Sequence, residues 1–196
     1  LKKILENAHV VVMNKEEAMM STGIHVRPDT KTEKFSQDVI HRDIKTMLNA
    51  LKIKDYQVVV ITDGNKGAYA YEGKNYYYCP IFPSEVISTL GAGDAFASTF
   101  CATLFRNGAD IGSALMYGSV QSASVVSKFG ATEGLITFEE IVRITNGIKS
   151  KKEEVFAKIF QSLLVKEFLF SIILFSFAFN ITEPTFLFSL FQYIII

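Results

Sequence analysis

The sequence predicts an α/β fold, with helices on the faces of a mainly parallel sheet. Three observations point there. Two short valine-rich runs, AHVVVM at 8–13 and YQVVVIT at 56–62, have the near-continuous apolar character of strands covered on both faces. Segments with helical spacing alternate with these strands. The chain has 196 residues, 49% of them hydrophobic and 20% charged, enough to close one core of ordinary size.

Each element has a local reason. After the first strand, Asn14 leads into Lys15-Glu16-Glu17-Ala18-Met19-Met20, whose acidic residues favour a helix start because they face the positive end of its dipole. Thr22-Gly23 stops that helix, and the polar residues 24–36 read as loop. Residues 37–51 place Val39, Ile40, Ile44, Met47, Leu48 and Leu51 at helical spacing. The second strand runs into a glycine-bearing turn, Asp63-Gly64-Asn65-Lys66-Gly67. Residues 68–72 and 75–81 then form a hairpin around Glu72-Gly73-Lys74, with tyrosines suited to half-buried strands. A small-residue helix follows over about 94–106, ended by Asn107-Gly108. Another covers about 110–128, is broken at Phe129-Gly130-Ala131, and is followed by a short helix at 138–146.

Composition excludes several functions. Lys+Arg and Asp+Glu both number 20, so no net positive charge supports a grip on nucleic acid. Cys79 and Cys101 lack ligand spacing, and His9, His25 and His41 are scattered; neither a disulfide framework nor a zinc site is expected. The chain opens Leu1-Lys2-Lys3 without a signal-peptide pattern, and a cytoplasmic setting is expected. The average conceals a split between residues 1–150, an ordinary α/β sequence, and a tail, 151–196. Residues 155–196 hold 10 of the 17 phenylalanines but only four charges, Lys158, Lys166, Glu167 and Glu183.

The segment that carries chemistry is Gly91-Ala92-Gly93-Asp94. Its glycines let the backbone approach a ligand, and the helix that follows presents unpaired N–H groups that attract anions, phosphate above all. Asp94 would repel that phosphate unless it serves as a general base toward a hydroxyl that attacks phosphorus. The plain alternative is that Asp94 caps the helix and the glycines merely turn the chain.

Neighbouring motifs decide between these readings. Residues 1–145 resemble the C-terminal half of the ribokinase-like (PfkB) carbohydrate kinases. Ser88-Thr89-Leu90-Gly91-Ala92-Gly93-Asp94-Ala95-Phe96 is similar to that family's D-T-x-G-A-G-D-x-F signature. Asn14-Lys15-Glu16-Glu17 resembles its N-x-x-E motif, and Ile61-Thr62-Asp63-Gly64-Asn65-Lys66-Gly67-Ala68 resembles its V-T-x-G-x-x-G segment. Ser122 to Val126 and Gly130-Ala131 resemble the helix and turn beside the adenine. The resemblance implies Asp94 as catalytic base, with the N–H groups of Ala92, Gly93 and Asp94 as an anion hole for the γ-phosphate in the loop that Gly91 opens. It implies Thr62, Gly64 and Gly67 against ATP, Ser119 near the adenine, and Glu17 with Asn14 at Mg²⁺, held through water. The plain alternatives are a first-turn acid for Glu17, an ordinary turn for Thr62–Gly67 and packing for Ser119.

Three departures qualify the resemblance. Ser88 stands where the family usually has Asp, which puts a monovalent-cation site in doubt. The family's N-terminal half, with most sugar contacts, is expected to be missing or supplied by another chain. The tail matches nothing in the family: its uncharged runs, 168–179 and 185–196, are each 12 residues, shorter than the ~17–25 a spanning helix needs. A membrane hairpin, a cover for exposed sheet and translated AT-rich non-coding sequence are its three readings; composition favours the last. The function expected is ATP-dependent phosphoryl transfer to a sugar or nucleoside, probed by loss of turnover in Asp94→Asn. The alternative is a non-catalytic nucleotide-binding remnant, held by its tail to a partner or membrane.

Overall fold

Valine-rich strands and amphipathic helices assemble into three layers. The structure, a computed structural model, describes residues 2–27, 40–106 and 110–147. Of the expected loop, residues 24–27 are described and belong to neither helix nor strand; its remainder, the first helical turn expected before residue 40, the Asn107-Gly108 stop and every reading of the tail lie outside the described residues. The chain divides into two units, Leu1–Asn146 and Gly147–Ile196, and the sheet with its flanking helices belongs to the first.

A short helix α1 (Lys2–Leu5) precedes strand β1 (Val10–Asn14), which passes without a loop into α2 (Lys15–Thr22). Next come α3 (Arg42–Leu51) and β2 (Val58–Thr62), then the hairpin of β3 (Ala68–Tyr71) and β4 (Tyr76–Cys79). Helices α4 (Ala92–Phe105) and α5 (Ile111–Val126) follow, and residues 138–147 are helical (α6). The sheet order is β1-β2-β3-β4. Only β1 and β2 pair in parallel; β2–β3 and β3–β4 are antiparallel. The α/β class therefore holds, but the described sheet is mixed rather than mainly parallel. Only five residues separate Thr62 from Ala68, and a parallel return needs a crossover of about a dozen or more.

Strand alternation sorts the core into two layers. Val11, Val59, Ile61 and Tyr69 face α2 and α3, where Ala18, Ile44, Met47, Leu48 and Leu51 are buried against them. Val60, Ala68 and Ala70 face α4 and α5, where Phe96, Phe100, Ala114 and Leu115 pack. The period of two places alternate residues of one strand in opposite layers. Alanines on the second face let the two helices lie close to the sheet. Helix α3 begins at Arg42, capped by His41, whose Nδ1 accepts from the Asp43 N–H at 3.0 Å.

Polar side chains pin the irregular segments. Gln57 is fully buried just before β2. Its Oε1 accepts from the N–H groups of Ile53 and Lys54, both at 2.8 Å, while its Nε2 donates to the carbonyls of Ala8 (2.8 Å) and Leu5. One amide thus ties the end of α1, the entry to β1 and the α3–β2 turn together. Gln121 on α5 does the same for the approach to α6, donating to Ile136 O and accepting from Ile136 N–H, both at 3.2 Å. Such bonds satisfy backbone groups that the sheet and helices leave unpaired. Asp43 accepts two bonds from the Arg27 guanidinium (2.7 and 3.1 Å) and one from its backbone N–H (3.0 Å), fixing the segment after α2 to α3.

Candidate functional site

Parallel pairing puts the C-terminal ends of β1 and β2 side by side: Asn14 is the register partner of Thr62. Ala68 at the start of β3 pairs with both Thr62 and Cys79, so the hairpin's open end reaches the same edge. Beyond Cys79 the chain leads to the start of α4. Ligands in open α/β sheets gather at this kind of edge.

At the end of β1, Asn14 caps α2. Its Oδ1 accepts from the Glu17 N–H at 2.8 Å, and Glu17 Oε2 accepts from the Asn14 N–H at 2.9 Å. This reciprocal capping box is a complete structural use of both residues. Both remain exposed. Among the described residues no group of three or more His, Cys, Asp or Glu gathers to hold a metal. One exposed carboxylate with a free oxygen fits an ion that keeps most of its waters, as Mg²⁺ does, and does not fit a protein cage.

At the end of β2, the Asp63 N–H donates to Gly67 O at 2.8 Å and closes a loop around the 3₁₀ turn Gly64–Lys66. Gly67 has φ 97°, and a Cβ there would lie 2.2 Å from Cys79 O. Only glycine brings the loop this close to β4. Lys15 and Asp63, the residues next after Asn14 and Thr62, form an ion pair. The hydrogen bond and charge of Asp63 raise the Lys15 pKa, against the opposing effect of burial.

The third component is the start of α4. Gly91, its N-cap, has φ 78°. A Cβ on Gly91 would meet Ala131 O at 2.6 Å and Ala131 Cα at 2.9 Å, so the turn after α5 sits directly against it. The preceding loop is pinned too, the N–H groups of Ile87 and Ser88 donating to Val126 O at 2.8 and 3.1 Å. Ala92 N–H turns back to Thr89 O at 3.3 Å, while the N–H groups of Gly93 and Asp94 have no protein partner among the described residues. The expected anion hole of three donors therefore has two open ones. Asp94 lies exposed in this first turn.

Between these parts lies a cleft of about 360 Å³, within the size range of small-molecule sites, about 300–1,000 Å³. One wall carries Thr62, Gly64 and Gly67; another carries Ala92 and Gly93; Ser119, Ser122 and Val126 of α5 form the far side. Its apolar lining includes Phe82 and Val86 from the β4–α4 loop. Six of the sequence-derived site residues thus converge on one cavity: Thr62, Gly64, Gly67, Ala92, Gly93 and Ser119. Gly91, Asp94, Asn14 and Glu17 are not in its wall; the first two flank Ala92 and Gly93, and the last two sit one strand over. Ser119 has a structural task as well. Its hydroxyl donates to Pro80 O at 3.1 Å and accepts from Phe82 N–H at 3.0 Å, strapping the β4–α4 loop to α5. Sequence reasoning missed Phe82, Val86 and the Lys15–Asp63 pair. An apolar loop before a glycine signature was the available signal for the first two; nothing local announced the third.

Comparison with known proteins bears on the family and the fold. The chain is 33% identical over 136 residues to a 5-dehydro-2-deoxygluconokinase of Shouchella clausii, covering 68% of this chain and 36% of that protein. It is 40% identical over 88 residues to the 5-dehydro-2-deoxygluconokinase of Bacillus subtilis, covering 44% of this chain and 27% of that protein. It thus spans about a third or less of the length of these relatives. The structure of Arabidopsis thaliana ribokinase complexed with ribose and ATP matches with a TM-score of 0.58 at 18% identity, over 73% of this chain and 42% of that one, and so shares its fold. The profile of the pfkB family carbohydrate kinases matches residues 1–137, every element from α1 to α5, and the chain belongs to that family.

Proposed function

We propose that the chain carries the nucleotide side of an ATP-dependent kinase that phosphorylates a hydroxyl of a sugar, sugar acid or nucleoside. The observation that carries this reading is the start of α4: two open N–H donors, Gly93 and Asp94, at the edge of a cleft whose opposite wall is the glycine loop Thr62–Gly67. A phosphate placed there meets the positive end of a 14-residue helix. Asp94, exposed beside those donors, takes the proton of the acceptor hydroxyl as its oxygen bonds to the γ-phosphorus; the bond to the β-phosphate oxygen breaks, and ADP leaves. Glu17 and Asn14 would hold the hydration shell of Mg²⁺, which when bound neutralises phosphate charge. Ser88 brings no carboxylate to a monovalent-cation site, and this reading does not rest on one. The relatives' names favour a sugar acid as acceptor, and a kinase that draws on ATP fits a cytoplasmic setting. No helix among the described residues is long and apolar enough to cross a membrane.

The test is turnover by the full chain with Mg²⁺–ATP and a panel of sugars, sugar acids and nucleosides. Phosphorylation that needs an acceptor and falls about 10²–10⁴-fold in Asp94→Asn is the expected result. One observation favours a second reading, nucleotide binding without turnover: Asn14 and Glu17 are already engaged with each other in the capping box. That reading expects nucleotide binding with no Asp94-dependent rate.

A further inference from the structure

The Lys15–Asp63 pair has no role in the reading above, and its placement asks for one. Lys15 is the first residue of α2, where a cation opposes the helix dipole and where Glu16 and Glu17 are the favourable residues. Something must hold a lysine there. Asp63 is equally unusual: it stands at the N-cap of the Gly64–Lys66 turn, yet its side chain makes no capping bond. Its carboxylate turns to Lys15 instead. Both side chains are largely shielded, at 20% and 11% exposure, so water screens the pair less than a surface ion pair.

The topology explains how residues 48 apart meet. Asn14 and Thr62 are register partners in parallel strands, so the next residue of each leaves the sheet at the same place. From there the chains diverge, one into the Asn14–Glu17 capping box and the other into the Thr62–Gly67 loop. Asp63 also holds that loop closed through its backbone: its N–H donates to Gly67 O and its carbonyl accepts from Lys66 N–H, both at 2.8 Å.

We propose that Lys15 and Asp63 are a positioning pair that locks the Thr62–Gly67 loop to the Asn14–Glu17 junction in the geometry that receives the phosphates of a nucleotide. The inference rests on the nucleotide reading of the cleft. It assigns the pair no contact with the reacting atoms; it acts through the loop.

The test uses the full chain in four forms: wild type, Lys15→Met, Asp63→Asn and the charge swap Lys15→Asp/Asp63→Lys. Calorimetry with Mg²⁺–ADP reads affinity, thermal melting reads global stability, and amide hydrogen exchange reads the Lys66 and Gly67 N–H groups. The expected result is a Kd about 5–30-fold weaker in each single variant, faster exchange at those amides, a melting temperature close to wild type, and recovery of most of both losses in the swap. Single variants that bind Mg²⁺–ADP like wild type overturn the proposal and leave the nucleotide reading standing. Affinity lost in step with melting temperature reduces the pair to a global tie and also overturns it. Affinity lost in Lys15→Met alone and not recovered in the swap overturns it in favour of direct phosphate contact by Lys15. Wild type that binds no Mg²⁺–ADP, even with the exchange effect intact, removes the nucleotide reading itself, and the proposal falls with it.

Discussion

Two glycines lie two residues apart at the start of α4, and the structure gives them opposite reasons to be glycine. Gly91 is required by the fold. Its φ of 78° costs a residue with a side chain about 1–2 kcal/mol, and an added Cβ would press on the Ala131 backbone at 2.6 and 2.9 Å. Relieving such an overlap in packed surroundings costs about 1–3 kcal/mol. Gly91→Ala should therefore lose about 2–5 kcal/mol, a large share of the roughly 5–15 kcal/mol typical of a domain. Gly93 meets neither constraint: its φ lies outside the left-handed region, and nothing lies within 4 Å of the position a Cβ would take. On fold grounds Gly93→Ala gains up to about 0.5–1 kcal/mol from reduced backbone freedom in the helix. Yet Gly93 lines the cleft with an open N–H. A methyl there stands where the γ-phosphate must come to reach that N–H, and affinity for Mg²⁺ with a non-hydrolysable ATP analogue should fall about tenfold or more, roughly 1.4 kcal/mol. Urea melts and calorimetry on the two variants separate the effects: Gly91→Ala loses stability, while Gly93→Ala keeps stability and loses affinity. Wild-type affinity in a folded Gly93→Ala would refute the phosphate site at α4, and a Gly91→Ala protein as stable as wild type would refute the turn geometry.

Three further outcomes follow from the same contacts. Asp43→Asn should cost about 1–3 kcal/mol in urea unfolding, because the Arg27 guanidinium loses a charged acceptor but remains partly solvated. The Arg27 side chain and backbone N–H hold the Asp43 carboxyl well below the usual aspartate range. Its folded pKa being depressed, its contribution is complete above the unfolded value of about 4 and is lost as pH falls below that; urea melts between about pH 5 and pH 2.5 should show a steeper decline in wild type than in Asp43→Asn. Gln57→Leu removes the partner of the Ile53 and Lys54 N–H groups and of the Ala8 carbonyl, while Leu5 O keeps its bond from the Ala8 N–H, and should lose about 3 kcal/mol or more, read as a large drop in the unfolding midpoint. Ser119→Ala should release the Pro80–Phe82 strap, speeding hydrogen exchange at Phe82 and weakening nucleotide binding a few-fold, with unchanged affinity counting against the strap.

Much of this was legible in the residues because the determinants are local. The valine runs of β1 and β2, the Glu16-Glu17 start and Gly23 end of α2, and the Tyr-rich hairpin all carry their own periodicity or cap. Helix α1 is only four residues long and leaves no period to read. The mixed character of the sheet was within reach: the spacing between Thr62 and Ala68 excludes a crossover, and that spacing outranks the expectation of parallel strands that α/β alternation suggests. The cleft was legible in part. Motif residues Thr62, Gly64, Gly67, Ala92 and Gly93 line one cavity, whereas the walls formed by Phe82 and Val86 depend on how the β4–α4 loop is strapped to α5 by Ser119. The Lys15–Asp63 pair was not legible, because it exists only once the register of two strands is fixed.

That contrast bears on how the site is built. The residues proposed to meet phosphate or its Mg²⁺ sit on three separate chain turns, after β1, after β2 and before α4. Each turn is closed by its own local bonds: the capping box at Asn14–Glu17, the Asp63–Gly67 loop, and the Gly91 N-cap. Local closure fixes the shape of each turn but not the distances between them. Those distances rest on a smaller set of long-range contacts: strand register, the Lys15–Asp63 pair, and the packing of Gly91 on Ala131 with Ile87 and Ser88 on Val126. Displacements of about 1 Å between groups that act on one phosphate can cost about 10²-fold in rate. Within that set, substitutions at the Lys15–Asp63 pair should therefore reduce ligand affinity and turnover more than they reduce stability, whereas Gly91→Ala, which also strains the backbone, and substitutions in buried ties such as Gln57 should chiefly reduce stability.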